Sequence, residues 1–278
     1  MEEKRDRALE VINAYKEIYR MGDISYTLDE SLFDYPIEKE QFEGMDVYFI
    51  NRQNNKSNKI MFFLHGGYYV FHAGNDPLIM LNKIIKRTDM MLVFPIYTLA
   101  PFHSVTENYD RMVRLYNKVR NENPTAKICG CGESAGGGFV TALALGLDKQ
   151  PDELLLLSPW VDVEMNNKDM APYIETDPNL SIEMAVRCGK EWAKEVPTSD
   201  WHVSPINGDI SKLKNVAVFV GELELFYPDN TLFYKKLVEA GCPNCTLVVG
   251  KESYHVYPPA PTLEAQKAVD IMVDLINR

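Results

Sequence analysis

Residues 127–136 read KICGCGESAG, a short apolar run that changes to small residues within a few positions. Residues 127–131 have the length and the nearly continuous apolar character of a strand that is buried on both faces. Residues 136–147 continue with the apolar composition of a buried helix. The stretch therefore predicts a strand, a tight turn and a helix in direct succession, which is the repeating unit of a parallel α/β sheet.

Further apolar runs of this kind occur on both sides of the unit, each bounded by Gly, Pro or Asn. They lie at residues 60–64, 90–96, 154–157, 216–220 and 246–249. Helical patterns alternate with them at residues 76–86, 107–120 and 229–240, and in a final segment with Ala265, Ala268, Met272 and Leu275 on one face. We expect Asp229 to cap the helix at 229–240 and Gly241 to end it. The alternation predicts an α/β fold with a mostly parallel central sheet flanked by helices.

Two regions depart from this alternation. The N-terminus places Ala8, Ile12, Tyr15 and Tyr19 at helical spacing, which predicts an amphipathic helix. Residues 160–204 contain no clear strand and only one helical stretch, around 181–194. An insertion between the strands of an α/β sheet lies over the carboxyl edge, where ligands bind. We therefore predict a single domain, residues 1–278, with lid elements at 1–44 and 160–204.

The composition excludes several classes of function. Hydrophobic residues make up 46% of the chain, as in ordinary globular proteins. A net charge of −11 argues against nucleic acid as a partner, because a polyanion would be repelled. No apolar run is long enough to cross a bilayer, and the charged N-terminus lacks the apolar core of a signal peptide. We predict a cytoplasmic protein with no stable membrane insertion. The sequence leaves the oligomeric state open, with a homodimer as one option.

The chain contains five cysteines, an odd number, which fits reduced thiols in a cytoplasm. Cys129 and Cys131, taken together with Cys242 and Cys245, raise the question of a zinc site. The first pair lies inside a predicted strand, however, and no suitably spaced histidines accompany it. We predict buried structural thiols, no metal and no other cofactor.

Ser134 is the central residue of GESAG at 132–136, between a predicted strand and a predicted helix. A serine hydroxyl acts as a nucleophile when it is held exposed and hydrogen-bonded to a base, and a tight strand-to-helix turn with small flanking residues holds it in that way. The same stretch also matches a dinucleotide fingerprint, G-x-G-x-x-A at 130–135. That alternative requires an acidic residue at the end of the next strand, where this chain has Ser158 and Pro159.

The turn after the run at 60–64 reads HGGY, residues 65–68. Glycines are needed where backbone N–H groups must approach a ligand closely and donate to an oxyanion. We predict that the N–H groups of Gly66, Gly67 and Ala135 form an oxyanion hole beside Ser134. His65 is expected to organise this loop rather than to transfer protons.

His255 is the only histidine after the last predicted strand, and its loop overhangs the same sheet edge as Ser134. We predict that it is the general base. The acid that orients it should follow the run at 216–220, where residues 221–229 read GELELFYPD. Glu224 is the predicted acid, and Asp229 and Glu222 remain alternatives.

These motifs resemble those of the hormone-sensitive-lipase-like family of α/β-hydrolases, over most of the chain from residue 45 onward. The motifs are HGG at 65–67, Y-x-L-A-P at 97–101, GESAGG at 132–137, SPW-x-D at 158–162 and SP at 204–205. The resemblance implies an α/β-hydrolase fold, hydrolysis of esters with short or medium acyl chains, no metal, and a lid built from the N-terminus and a mid-chain insertion. The chain departs from the family at Tyr68, where Gly or Ala is usual, at Thr98, where Arg is common, and at Glu224, where Asp is usual. We expect Tyr68 to narrow the acyl pocket.

The sequence thus predicts a carboxylesterase- or lipase-like serine hydrolase in which Ser134, His255 and Glu224 form a triad and an ester substrate passes through an acyl-enzyme. Two alternatives remain. The HGGY loop also resembles that of arylformamidases, which predicts an amidase on the same residues. A binding module without catalysis, as in gibberellin receptors, would have lost its histidine, whereas His255 is present.

Overall fold

The computed structural model describes residues 7–20 and 26–278 of the chain. In this part, eight strands form one sheet in the order β1-β2-β4-β3-β5-β6-β7-β8. Their bounds from β1 to β8 are Ile37–Phe42, Met45–Ile50, Lys59–Leu64, Met91–Pro95, Lys127–Glu133, Glu153–Leu157, Asn215–Gly221 and Asn244–Gly250. The strand β2 pairs antiparallel with β1 and β4, and all other neighbours pair parallel. The predicted α/β class with a mostly parallel sheet is confirmed.

Seven α-helices accompany the sheet in the described residues. Their bounds from α1 to α7 are Arg7–Arg20, Asn75–Thr88, Val105–Glu122, Ser134–Gly146, Ile182–Ala193, Tyr227–Glu239 and Leu263–Asn277. Each strand and each crossover helix predicted from the sequence is present, and no predicted end is displaced by more than two residues. The alternation of apolar runs and helical patterns was therefore a sufficient guide to the parallel part of the sheet.

The first turn of α6 differs from its prediction. The helix begins at Tyr227 instead of at a cap on Asp229, which is the third residue of the helix. Pro228 explains the difference, because the fixed φ of proline suits the first turn and its missing N–H is not needed there. At the other end, Gly241 has φ 80° and its N–H donates to the Val238 carbonyl at 3.0 Å, which confirms the predicted helix stop.

Two strands escaped prediction. The hairpin of β1 and β2 turns at Glu43 and Gly44, which have φ 47° and 79°, the positive values of a tight two-residue turn. Because β1 lies at the sheet edge and is only partly buried, it lacks the continuous apolar run that marks the other strands. Residues 37–42 thus belong to the sheet, which corrects the predicted lid boundary at 1–44.

Strand β3 shows how the core is built. Phe62 packs into the core on one face of the sheet and Phe63 into the core on the other, because successive side chains of a strand point to opposite faces. Helices α3, α4 and α6 supply side chains to the first layer, and α2 and α7 to the second. Both faces of the sheet are therefore covered, as a parallel sheet requires.

The carboxyl ends of the parallel strands meet at one edge of the sheet. The loops after β3, β5, β7 and β8 carry the HGGY turn, Ser134, Glu224 and His255. Residues 160–204 enter after β6 and contain α5 but no strand, as predicted. The topology therefore gathers the predicted site residues and the insertion at the edge where α/β proteins bind ligands.

The N-terminal helix α1 packs against α5. Ile12 is fully buried, and the Lys16 ammonium lies 3.6 Å from a carboxylate oxygen of Glu191 in α5. The side chains of Ala8, Tyr15 and Tyr19, which were also predicted for the apolar face, lie outside the described part. None of the helices described here is long and apolar enough to cross a membrane.

Candidate active site

Ser134 occupies the turn between β5 and α4 with a strained backbone. Its φ is 51°, in the left-handed region that residues other than glycine rarely adopt. A Cβ on Gly132 would lie 2.3 Å from the Gly136 carbonyl oxygen, and a Cβ on Gly136 would lie 2.1 Å from that of Leu64. The two glycines are therefore required for the chain to turn this tightly and to pass against the end of β3. The turn presents Ser134 at the N-terminus of α4, with the N–H of Ala135 in the first helical turn.

The loop after β3 lies directly against this serine. A Cβ on Gly66 would approach the Ser134 Cβ to 3.0 Å. Gly67, Tyr68 and Tyr69 follow with φ 102°, 55° and 63°, a run of left-handed residues that turns the chain sharply. The Gly67 carbonyl accepts the N–H groups of Val70 and Phe71 at 2.9 and 2.8 Å, and these bonds close the turn.

The predicted oxyanion donor Gly66 has another partner. Its N–H donates to Oε1 of Glu133 at 3.1 Å, and burial raises the pKa of this glutamate. A donor that is committed to a buried carboxyl group is not available to an oxyanion, so the prediction for Gly66 is corrected. The N–H groups of Gly67 and Tyr68 have no protein partner in the described part of the chain. No signal in the sequence indicated this role of Glu133, because Glu133 occupies the variable position of the G-x-S-x-G motif.

His65 holds the same loop from the inside. Its Nδ1 donates to the Gly66 carbonyl at 2.7 Å, and its ring stacks on Tyr97 with a centroid distance of 4.3 Å. Burial lowers the pKa of His65 to about 3, so the ring is neutral near pH 7. These contacts agree with the predicted role of a loop organiser.

Glu224 and His255 come together at the ends of β7 and β8. Nδ1 of His255 lies 3.4 Å from Oε1 of Glu224, at the long limit of a hydrogen bond. The other carboxylate oxygen, Oε2, accepts the Ser158 hydroxyl at 2.7 Å and the Gly221 N–H at 2.8 Å. The Ser158 hydroxyl in turn accepts the Val256 N–H at 3.0 Å. Ser158 therefore connects the loop of the acid to the loop of the histidine.

The two alternative acids have other partners. Asp229 accepts the side-chain amide of Asn167 at 2.8 Å, and burial raises the pKa of its carboxyl group to about 6. Glu222 is exposed and accepts the Glu252 N–H at 3.0 Å. Of the three candidates, Glu224 is the one that contacts His255 in the described structure.

Two other histidines are paired away from Ser134. Nδ1 of His103 lies 2.9 Å from Glu107, and Nδ1 of His202 lies 2.7 Å from Asp200. His72 packs beside the ring of Tyr26 at a centroid distance of 5.3 Å. The loop between β7 and α6, residues 222–226, carries Glu224 and is called the acid loop below. None of these three rings contacts it in the described residues, which leaves His255 as the histidine beside Glu224.

Sequence reasoning missed the role of Ser158. The residue belongs to the SPW motif at 158–160, but the motif alone predicts no contact for it. Its position directly after β6, the strand between β5 and β7, was the available signal, since strand ends on one sheet edge face one another.

The thiols are free and mostly buried. Cys129 and Cys131 are buried in β5, and burial raises the pKa of Cys129 and of Cys188 to about 12. Over residues 7–20 and 26–278, no three His, Cys, Asp or Glu side chains are grouped so that they could hold a metal ion.

Comparisons with known proteins identify relatives of this chain. An esterase from Acinetobacter venetianus is 28% identical over 191 residues, which make up 66% of this chain but 63% of that protein. The chain thus spans less than two thirds of the length of this relative. Among solved structures, a candidate esterase from Staphylococcus aureus superposes with a TM-score of 0.91 at 24% identity, over 100% of this chain and 95% of the other.

A second solved structure bears on the predicted resemblance. An esterase from the bacterial hormone-sensitive lipase family superposes with a TM-score of 0.80 at 22% identity, over 100% of this chain and 99% of its own. The likeness shows that the two chains share a fold, as the HGG and GESAG motifs predicted. A family model described as alpha/beta hydrolase fold matches residues 61–258, a range that begins in β3 and includes Ser134, Glu224 and His255. By its sheet, its strand-to-helix serine turn and this match, the chain belongs to the α/β-hydrolase fold family.

Proposed function

We propose that this protein is a serine carboxylic-ester hydrolase that acts on esters with short to medium acyl chains. One observation carries the proposal: Ser134 lies in a left-handed turn at the N-terminus of α4, on the sheet edge where Glu224 contacts His255. A strained serine at a helix N-terminus, with a carboxylate–imidazole pair on the same edge, is the arrangement of a nucleophile elbow. The relatives described as esterases support the same reaction class.

In the proposed reaction, Ser134 Oγ attacks the ester carbonyl carbon while Nε2 of His255 takes the hydroxyl proton. Glu224 accepts from Nδ1 of His255 and stabilises the imidazolium. The ester C–O bond then breaks, and the alcohol leaves with the proton from His255. Water attacks the acyl-enzyme by the same route and returns the proton to Ser134, which releases the acid.

The oxyanion in this scheme is received by the N–H groups of Gly67, Tyr68 and Ala135. Gly67 and Ala135 were predicted from the sequence, and Tyr68 replaces Gly66, whose N–H is held by Glu133. One donor of this kind contributes about 3 kcal/mol to transition-state stabilisation. The first turn of α4 adds its dipole to the same position.

The preference for small acyl groups is supported by the crowding of the site. Ser134 is 6% exposed. The Tyr68 ring packs edge-on against the Trp160 ring, with a centroid distance of 5.7 Å. We also propose that residues 160–204, with the N-terminal helix, act as a lid. Trp192 of α5 stacks on Tyr69, with the ring centroids 4.4 Å apart. Tyr69 directly follows the HGGY turn at residues 65–68, called the oxyanion loop below, and this contact supports the role of a lid.

Ser134→Ala tests the proposal, with Ser211→Ala as the matched control, because Ser211 is exposed and precedes β7, at the opposite end of that strand from Glu224. We expect Ser134→Ala to lose p-nitrophenyl butyrate hydrolysis by about 10³-fold or more and to lose labelling by a fluorophosphonate probe. Its thermal unfolding should match that of the control. Full hydrolysis by the folded Ser134→Ala variant would refute the proposal.

The substrate class is tested with p-nitrophenyl esters of graded acyl length, from acetate to laurate. The proposal expects kcat/KM to be highest for acetate to hexanoate and to fall for longer chains. Faster turnover of N-formylkynurenine than of any ester would favour the amidase alternative. Absence of probe labelling in the wild-type protein would favour the binding module.

Two predictions concern the protein in the cell. We propose a cytoplasmic location, which free cysteines support because reduced thiols are usual there. A homodimer is retained as an option, and sedimentation at several protein concentrations would test it.

A further inference from the structure

Asp177, in the segment 160–204, is a buried carboxylate with bonds in two directions. Its Oδ1 accepts the N–H groups of Asn179 at 2.7 Å and Leu180 at 3.1 Å, which fix the turn before α5. Its Oδ2 accepts the N–H of Leu225 at 2.7 Å, across to the loop after β7. One side chain of the insertion thus holds the backbone immediately after Glu224.

The bond to Leu225 holds the residue after Glu224, where a small displacement of the backbone would change the contact between Glu224 and His255. The contact between Glu224 Oε1 and His255 Nδ1 measures 3.4 Å, so a further shift of a few tenths of an ångström would break it. Leu225 is 1% exposed, and its N–H would lose a charged acceptor in a region with little access to water if Asp177 were replaced. Catalytic groups must be held within fractions of an ångström by such supporting bonds.

The same short segment also reaches the oxyanion loop. The N–H of Ser181, the residue that caps α5, points to the Tyr68 hydroxyl at 3.4 Å. Residues 177–181 therefore contact both the loop that carries Glu224 and the loop that carries the Gly67 and Tyr68 amides. Their place in the fold joins the insertion to both halves of the site.

We propose that Asp177 is a positioning residue for the acid loop: its bond to the Leu225 N–H sets the Glu224 carboxylate against His255, so that docking of residues 177–181 completes the triad. This inference rests on the proposed serine hydrolase function. It makes the insertion a part of the catalytic geometry in addition to a cover over the site.

Asp177→Asn separates this bond from the local turn. The amide oxygen can keep the position of Oδ1, where it accepts two N–H groups, but the NH₂ group then faces the Leu225 N–H and cannot accept from it. The matched control is Asp169→Asn, because Asp169 lies in the same insertion, is exposed, and has no side-chain bond to the acid loop in the described structure.

For Asp177→Asn we expect kcat on p-nitrophenyl butyrate to fall by about 10- to 100-fold with little change in KM. The acid limb of the kcat/KM profile should move to lower pH, because a looser carboxylate stabilises the imidazolium of His255 less. Asp169→Asn should match the wild type in both measurements. Unchanged kcat and an unchanged profile in a folded Asp177→Asn variant would overturn the inference.

A double variant distinguishes positioning from general stabilisation. If Asp177 acts through Glu224, then adding Asp177→Asn to Glu224→Gln should lower kcat by less than about twofold further. A full additional loss would show that Asp177 acts independently of Glu224 and would overturn the inference. The proposed serine hydrolase function is tested separately, by the activity of Ser134→Ala and by fluorophosphonate labelling of the wild-type protein.

Discussion

The turn that carries Ser134 and the loop that carries Glu224 are held in place by different means. The serine turn is fixed by backbone packed on backbone, since any Cβ at Gly132 or Gly136 would meet main-chain oxygens closer than 2.5 Å. The acid loop is fixed by side-chain hydrogen bonds, from the Ser158 hydroxyl to Glu224 and from the Leu225 N–H to Asp177. The residues that fix the serine turn form one contiguous motif, GESAG at 132–136, whereas the residues that fix the acid loop are far apart in the sequence. It follows that substitution of the turn glycines should affect folding, whereas substitution of the hydrogen-bonded side chains at the loop should affect catalysis.

The largest effect on stability is expected at the serine turn, for Gly136→Ala. The new Cβ would lie 2.1 Å from the Leu64 carbonyl and 2.4 Å from that of His65, and neither backbone can yield without disturbing β3. We expect the free energy of unfolding in urea to fall by about 3 kcal/mol or more.

Gly74→Ala is the control for that measurement. Gly74 has φ −79°, and a Cβ there meets nothing within 4 Å, so the cost should be about 1 kcal/mol or less, from a poorer helix cap. Equal stability of the two variants would contradict the backbone-packing argument.

At the acid loop, Glu224→Gln should leave the fold intact and reduce kcat. The amide cannot hold the His255 tautomer or stabilise its imidazolium, so we expect a loss of about 10³- to 10⁴-fold in p-nitrophenyl butyrate turnover. Glu222→Gln, two residues earlier on an exposed side chain, should stay within about twofold of wild type. If Glu222→Gln lost activity and Glu224→Gln kept it, the assignment of the acid would be wrong.

The smallest effect concerns Asp229, just after the acid loop, and it depends on pH. Burial raises the pKa of its carboxyl from 3.8 to about 6, so between these values the folded chain holds a proton that the unfolded chain has released. Stability is therefore lost as pH rises through this window. Asp229→Asn removes the loss, and its stability relative to wild type should increase by about 2 kcal/mol between pH 4 and pH 7.

Urea unfolding at the two pH values measures this difference, with Asp169→Asn as a control variant at an exposed position. Turnover at pH 7 should be retained in Asp229→Asn, because Glu224 is the residue that contacts His255. A pH-independent stability difference would show that the buried carboxyl does not titrate in this range.

The same contrast explains what the sequence could predict. The parallel strands and Ser134 follow from local rules, since a strand, two glycines and a helix are contiguous. The bond from Gly66 to Glu133 joins residues 67 positions apart, and the bond from Val256 to Ser158 spans 98 positions. No single window of sequence contains both partners, so no local pattern indicated that Glu133 accepts the Gly66 N–H or that Ser158 accepts the Val256 N–H.

Strand β1 was missed for another reason. Edge strands are only half buried, so their side chains alternate between solvent and core and do not form a continuous apolar run. In IEKEQF the polar residues dominate. The turn at Glu43 and Gly44 was the remaining signal, because glycine is favoured where a two-residue hairpin requires a positive φ.

The edge hairpin also sets a boundary for any opening that admits a substrate. Residues 37–42 are hydrogen-bonded along their length to β2, and β2 is hydrogen-bonded to β4. On the N-terminal side a hinge can therefore lie only upstream of Ile37. The hydrogen bonds of β1 to β2 and of β2 to β4 hold residues 37–42 in the sheet. A rearrangement of α1 and α5 would therefore not need to break the pairing of any strand.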